Sequence, residues 1–420
     1  MNPSNPQQQN PYLEVVTGIG NTLLKNAIHY RQLCNWQGAV LEQVRGNFQV
    51  VDRTFGPDLY NGLSGILWFL SEWYPHNPSP LVLEAINGTL QNIYQLTEQP
   101  GDELGHFSIH SGMLGAAFSL WRCGRQMGAE QWRQAGLQRL ETLYQQPIGE
   151  HEVDVIGGAA GAIPVLLKIY EAEDEQRCLT LAVRLGDFLL ETARKQGNHC
   201  FWPQPGSQAG LTGYSHGNGG IGLALLELGV LIGESRFVQG AQAAFNFERE
   251  HFNPAYQNWP DLRELNTTPQ YNYMWCHGAP GIAISRIRAF QLTQDQSYLQ
   301  EARIALESTW RDLSQTLVTQ PHHINFSLCH GAAGNAEILL LGSQLLQEAK
   351  YAQLAQQVAD FGIQTYFRTE TDWPSGVHDS AGQGRSMEPT PGLMLGLAGT
   401  GLFYLHLGNP QRIESPLLIR

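Results

Sequence analysis

The 420-residue sequence predicts an all-α fold, a closed α/α toroid (double α-barrel) of seven inner and seven outer helices. One reason is a phrase of Gly, two residues, Gly and an apolar run. It occurs seven times, at Gly62/Gly65, Gly112/Gly115, Gly158/Gly161, Gly217/Gly220, Gly278/Gly281, Gly331/Gly334 and Gly396/Gly399. Successive copies are 46 to 65 residues apart, which leaves room for two helices and a loop. The other reason is alternation between two kinds of helical segment. Stretches between the phrases place apolar residues at three- and four-residue intervals, as helices with one wet face do. The runs after each Gly pair are apolar nearly all round, so they form the inner ring. One repeat array then explains a length that would otherwise suggest two or three domains.

In chain order, MNPSNPQQQNPYLEVV reads as a short mobile tail, and residues 1–54 as that tail plus a first helical segment. The toroid domain is expected over 55–420. NGLSGILWFL, SGMLGAAFSL and GGAAGAIPVLL open the first three inner helices, and 178–195 is an outer one. HGNGGIGLALLEL and HGAPGIAISRI open the fourth and fifth, followed by an outer helix over 298–313. HGAAGNAEILLL opens the sixth, 351–367 is outer again, and LGLAGTGLFYLHL is the seventh inner helix. Glycine at each loop-to-helix junction permits close backbone approach, a structural reason for every pair. Trp68, Trp73, Trp121 and Trp310 lie in or beside helical patterns and are expected to pack in the core or a groove. His322 and His323 follow Pro321 in a loop and are expected to be solvated, and the polar, Gly-rich stretch 371–392 is either a rim loop or an ordinary connection.

Charge and targeting signals narrow the function. Lys plus Arg number 25 against 38 Asp plus Glu, a formal charge of −13, and no basic run occurs, so nucleic acid is not an expected partner. The N-terminus lacks the basic start and apolar core of a signal peptide, and no stretch approaches the length of a transmembrane segment. A cytoplasmic location is expected. The six cysteines are widely scattered, which does not suggest a disulfide scaffold and leaves them available as thiols or metal ligands.

The phrases carry polar decoration that packing does not explain. GYSHG holds His216, WCHG holds Cys276 and His277, LCHG holds Cys329 and His330, and EVDVIGG holds Asp154. If the repeats share one geometry, these residues share one end of the toroid. Thiolate sulfur and imidazole nitrogen suit tetrahedral zinc. A lone cysteine in an apolar helix is ordinarily a small core residue, but two CHG units in register favour the metal.

All seven phrases, with WCHGAPGI and LCHGAAGN, resemble the lanthionine synthetase C-like (LanC-like) family, cyclases that form thioether rings in lanthipeptides. WCHGAPGI, LCHGAAGN and PGLMLGLAGTG look most like the cyclase half of LanM synthetases. The resemblance runs from about Phe55 onward and implies one catalytic zinc per chain, held by Cys276, Cys329 and His330. It also implies an acid/base role for His216, supported by Asp154. His277 is then left behind the metal ligands or on the substrate side, although either CHG histidine offers a third ligand. Some free-standing members have Arg four residues before the first zinc Cys, where this chain has Asn272.

The reaction so implied is Michael addition of peptide Cys thiolates to dehydroalanine or dehydrobutyrine, giving lanthionine or methyllanthionine. Its substrate is a dehydrated precursor peptide. With only 54 residues before the toroid, a separate dehydratase is expected to supply it. Glycosidase toroids use a carboxylate pair without zinc, and prenyltransferase subunits lack the sevenfold phrase. A non-cyclising zinc protein that binds peptides or glutathione is the alternative.

Overall fold

The computed structural model describes residues 10–44, 47–98, 105–150, 152–203, 209–263, 268–378 and 387–419. Fourteen α-helices run through them. The inner seven are α2 (Leu63–Trp73), α4 (Met113–Gln126), α6 (Ala159–Glu173), α8 (Asn218–Ile232), α10 (Ala279–Thr293), α12 (Ala332–Leu346) and α14 (Leu397–Gly408). Outside them lie α1 (Pro11–Lys25), α3 (Pro80–Leu96), α5 (Glu130–Leu143), α7 (Gln176–Thr192), α9 (Ser235–His251), α11 (Gln296–Thr319) and α13 (Ala349–Gly362). The chain is an α/α toroid. Each inner helix pairs with the outer helix that follows it, while α14 takes α1 as its outer partner and closes the inner ring against α2. Among the described residues, no helix is long and apolar enough to cross a membrane.

Residue pattern explains both rings. In α8 every residue from Asn218 to Gly229 is buried, so the helix has no wet face until its last turn. In α7 the buried residues are Cys178, Leu181, Ala182, Leu185, Gly186 and Leu189, a single stripe. Trp68, Trp73 and Trp121 are buried, Trp310 packs partly buried against the core, and His322 and His323 are exposed.

Several boundaries differ from the sequence expectation. Residues 1–9 of the expected tail lie outside the described residues, and helix begins at Pro11, where Asn10 caps it by accepting from Tyr12 N–H. Helix α7 stops at Thr192 rather than 195 because Arg194–Gln196 leaves as a strand that pairs with His199–Phe201. Helix α11 is longer than expected, starting where the Asp295 side chain accepts from Ser297 N–H. Two further hairpins, Ile28–Tyr30 with Leu33–Asn35 and Gln37–Val44 with Asn47–Thr54, fill the span between α1 and α2.

The second glycine of each phrase has one reason in all seven repeats. A Cβ there would meet the carbonyl oxygen six residues earlier, at 2.0 Å for Gly115 against Ile109 and 1.8 Å for Gly334 against Leu328. The approach folds each junction loop back onto the first turn of its own inner helix, which places the residues before the first glycine at the toroid's mouth. Gly115→Ala is expected to lower stability by about 2–3 kcal/mol, the scale of overpacking. An unchanged denaturation midpoint would show that the loop has room to yield.

The junction loops also bond to one another around the mouth. Tyr60 N–H donates to His110 O at 2.9 Å, Ile156 N–H to Ser215 O at 3.2 Å, Cys329 N–H to Met394 O at 3.0 Å, and Met394 N–H to Tyr60 O at 2.7 Å. Tyr60, His110, Ile156, Ser215, Cys276, Cys329 and Met394 each stand two residues before the first glycine. They form one register position repeated seven times. From the other side, Ile413–Ile419 packs into the core, and Trp275 Nε1 donates to Leu417 O at 3.1 Å. The backbone that carries Cys276 is therefore braced from within.

Candidate functional site

At the mouth, loops 53 residues apart in sequence bring Cys276 and Cys329 within interaction range of each other. Contact with Cys329 lowers the Cys276 pKa against the effect of burial, whereas Cys276 and then burial push the Cys329 thiol well up. The pair thus gives up one proton readily and the second with difficulty. The Tyr60 hydroxyl lies beside Cys329, its own ionisation suppressed by burial and then by the thiols.

His330 projects from the same loop as Cys329. Its Nε2 lies 2.8 Å from Gly376 O. A carbonyl oxygen only accepts, so Nε2 carries the proton and Nδ1 keeps its lone pair. Burial lowers the His330 pKa to about 4, so the ring is neutral near pH 7. Gly376 belongs to the 371–392 stretch, whose described part thus reaches the site. His378 packs against His330 as well, with ring centroids 5.5 Å apart.

Across the mouth, His216 Nδ1 and Asp154 Oδ2 are 2.8 Å apart, and Asp154 Oδ1 accepts Gly157 N–H at 2.6 Å. Burial pulls the His216 pKa down, but the Asp154 hydrogen bond and charge, with the Cys276 thiol, outweigh it, so the net shift is upward. Outer helix α9 holds the His216 loop in place. Its Glu248 accepts Gly213 N–H and Gly219 N–H, both at 2.9 Å, and pairs at 2.8 Å with the fully buried Arg286.

His277 is 1% exposed and stacks on His216 at 5.8 Å. Neither of its ring nitrogens makes a well-formed hydrogen bond among the described residues, although the Thr212 backbone lies close enough to act on it. Burial and the Arg263 charge lower its pKa to about 4.

Two thiols and a neutral imidazole with a free lone pair have the donor chemistry of a zinc site with an open position. The His330 bond to Gly376 is the kind of buttress that a metal-binding histidine uses. Among the described residues, no three His, Cys, Asp or Glu side chains are gathered into a ready-made cage.

Sequence reasoning missed three participants. Tyr60 shares the register position of Cys276 and Cys329, so aligning all seven phrases residue by residue would have exposed it. His378 and Arg263 lie outside the phrases and carry no such signal. Asn272, noted for standing where some relatives have arginine, donates to Asp261 Oδ2 at 2.8 Å, and that carboxylate also holds Arg263.

A sevenfold helical toroid with a thiol pair, a neutral histidine and a His–Asp pair at one mouth defines a narrow class of protein. The sequence model of the Lanthionine synthetase C-like protein family matches residues 54–418, and the chain belongs to that family. Among curated proteins it is similar to "Glutathione S-transferase LANCL1" of Danio rerio, 29% identical over 213 residues covering 50% of this chain and 46% of the relative. It is also 23% identical over 307 residues to "Lacticin 481/lactococcin biosynthesis protein LcnDR2" of Lactococcus lactis subsp. lactis, covering 70% of this chain and 30% of that one. The chain therefore spans less than half the length of either. Among solved structures "Nisin cyclase" shares the fold, with a TM-score of 0.63 at 20% identity over 86% of this chain and 91% of that one.

Proposed function

We propose that the protein is a zinc-dependent lanthipeptide cyclase, forming thioether rings by adding peptide cysteine thiolates to dehydroalanine or dehydrobutyrine. The observation that carries the reading is the juxtaposition of the Cys276/Cys329 pair with His216, itself held by Asp154 at 2.8 Å. Cys276, Cys329 and His330 would hold one zinc per chain. When bound, the metal lowers the pKa of a substrate thiol while leaving the thiolate nucleophilic.

The chain's own residues do the rest. His216, its pKa raised, is available as imidazolium to deliver a proton to the substrate α-carbon after sulfur has bonded to the β-carbon. Asp154 fixes the ring and favours its charged form. The Gly376 carbonyl sets the His330 tautomer, and Tyr60 supplies a hydroxyl beside Cys329. The substrate is a dehydrated precursor peptide, the product of a dehydratase, and the proposed location of the reaction is the cytoplasm.

The test is closure of a dehydrated, Cys-containing peptide, read as loss of alkylatable thiol by mass spectrometry, since ring closure leaves the mass unchanged. Wild type is expected to consume thiol, and failure with several such peptides would sink the reading. A second reading rests on the similarity to the protein named glutathione S-transferase. Glutathione would then be the bound thiol, joined to an electrophile or held without ring closure. In that case the peptide gains the mass of glutathione, or binding is measured without chemistry.

A further inference from the structure

Arg263 lies between α9 and α10, and its contacts fix where its charge stands. The Asp261 carboxylate, with its side chain 8% exposed, takes Arg263 Nε at 3.0 Å and Nη2 at 2.5 Å. The same carboxylate accepts Asn272 Nδ2 at 2.8 Å, and Asp261 N–H donates to Gln270 O at 2.7 Å. Asn272 is itself pinned, since its carbonyl accepts Asn258 Nδ2 at 3.1 Å, and a Cβ on Gly278 would fall 1.8 Å from that oxygen. Thr212 Oγ1 donates to Pro260 O at 2.6 Å, joining this loop to the one that carries His216. Arg263 is thus tied at one end to the Cys276 loop and at the other to the His216 loop.

Its charge acts on both sides of the mouth. On one side it stands by the loop that carries Cys276, through Asp261 and Asn272, and on the other it opposes the charge of His216. Asp261 occupies the Nε and Nη2 edge. Nη1 has no hydrogen bond to a described residue, and the side chain is 52% exposed. A guanidinium clamped on one edge and open on the other is preorganised to receive an oxygen without giving up its counter-ion.

We propose that Arg263 is a catalytic residue whose free edge binds the carbonyl oxygen of the dehydro residue and stabilises the negative charge that gathers there during addition. The proposal rests on the cyclase reading. As a lone pair of the substrate thiolate forms the S–Cβ bond, the C=C π electrons move to the α-carbon and carbonyl oxygen, giving an enolate held by Arg263. The enolate then collapses as His216 protonates the α-carbon. The net change is one S–H and one C=C converted to S–C and C–H, with no oxidant or further reactant.

The experiment measures single-turnover thiol loss, and separately peptide binding by fluorescence anisotropy, in wild type, Arg263→Gln, Arg263→Lys and the double variant Arg263→Gln/Asn272→Arg. Removing one donor to a developing oxyanion costs about 10²–10³ in a buried site. Half exposure reduces that, so Arg263→Gln is expected to slow closure between about tenfold and a hundredfold while the peptide Kd stays within about threefold. Arg263→Lys is expected to recover part of the rate. The double variant, which builds a guanidinium on the same Asp261 from position 272, is also expected to exceed Arg263→Gln. Pairing with Asp261 would itself be restored in both rescue variants, so the readout that separates catalysis from a structural role is the denaturation midpoint of Arg263→Gln, expected to stay at the wild-type value while the rate falls. An unchanged rate in Arg263→Gln overturns the proposal, as does a loss confined to peptide affinity. A wild type inert toward every dehydrated peptide sinks the cyclase reading and this inference with it, whereas an active wild type with an unaffected Arg263→Gln sinks this inference alone.

Discussion

His216→Asn is expected to slow thioether closure by on the order of a hundredfold or more, the usual scale for a positioned general acid or base, without displacing bound metal. Asparagine keeps a hydrogen-bonding group toward Asp154, so the loop that Glu248 holds should remain in place. What disappears is the titratable proton. Because Asp154 and the thiol raise the His216 pKa above its ordinary value despite burial, the imidazolium is retained to a higher pH than for a free histidine. The wild-type rate should therefore hold below that raised pKa and fall as pH passes through it. Asp154→Asn removes the main raising influence, leaves burial unopposed, and should move the fall to lower pH with a smaller loss at acid pH. A rate profile of His216→Asn that matches wild type would overturn the assignment.

Cys276→Ala/Cys329→Ala should carry almost no zinc by elemental analysis, where wild type carries about one per chain. Closure should be lost with the metal. The double variant should stay folded, with its helical circular dichroism signal largely preserved. The toroid is held by buried apolar faces such as α8 and by carbonyl-to-amide bonds between junction loops, none of which passes through sulfur. Full zinc content in the double variant would remove Cys276 and Cys329 as ligands. Collapse of the helical signal would instead mean that the metal is a folding element.

The sequence by itself determined the repeat. Seven glycine phrases and one-sided outer helices are local, periodic signals, because a helix that faces the core on most sides must be apolar on most sides. The second glycine of each phrase is legible for the same reason, since it answers to a carbonyl six residues earlier in its own loop. Cys276 and Cys329 stand out because they break that pattern at matching positions two residues before the first glycine, and His216 and Asp154 because they are polar residues one and four positions before it. Only the tertiary structure decided what stands beside them. Tyr60 reaches Cys329 because the ring closes on itself, and α1 becomes the outer partner of α14 from the opposite end of the chain. Leu417 meets Trp275 inside the toroid across 142 residues, and Arg263 is aimed by a carboxylate that Asn272 also holds. A repeat records in sequence the contacts each unit makes within itself, whereas contacts between distant loops depend on closure, and closure leaves no local periodicity to read.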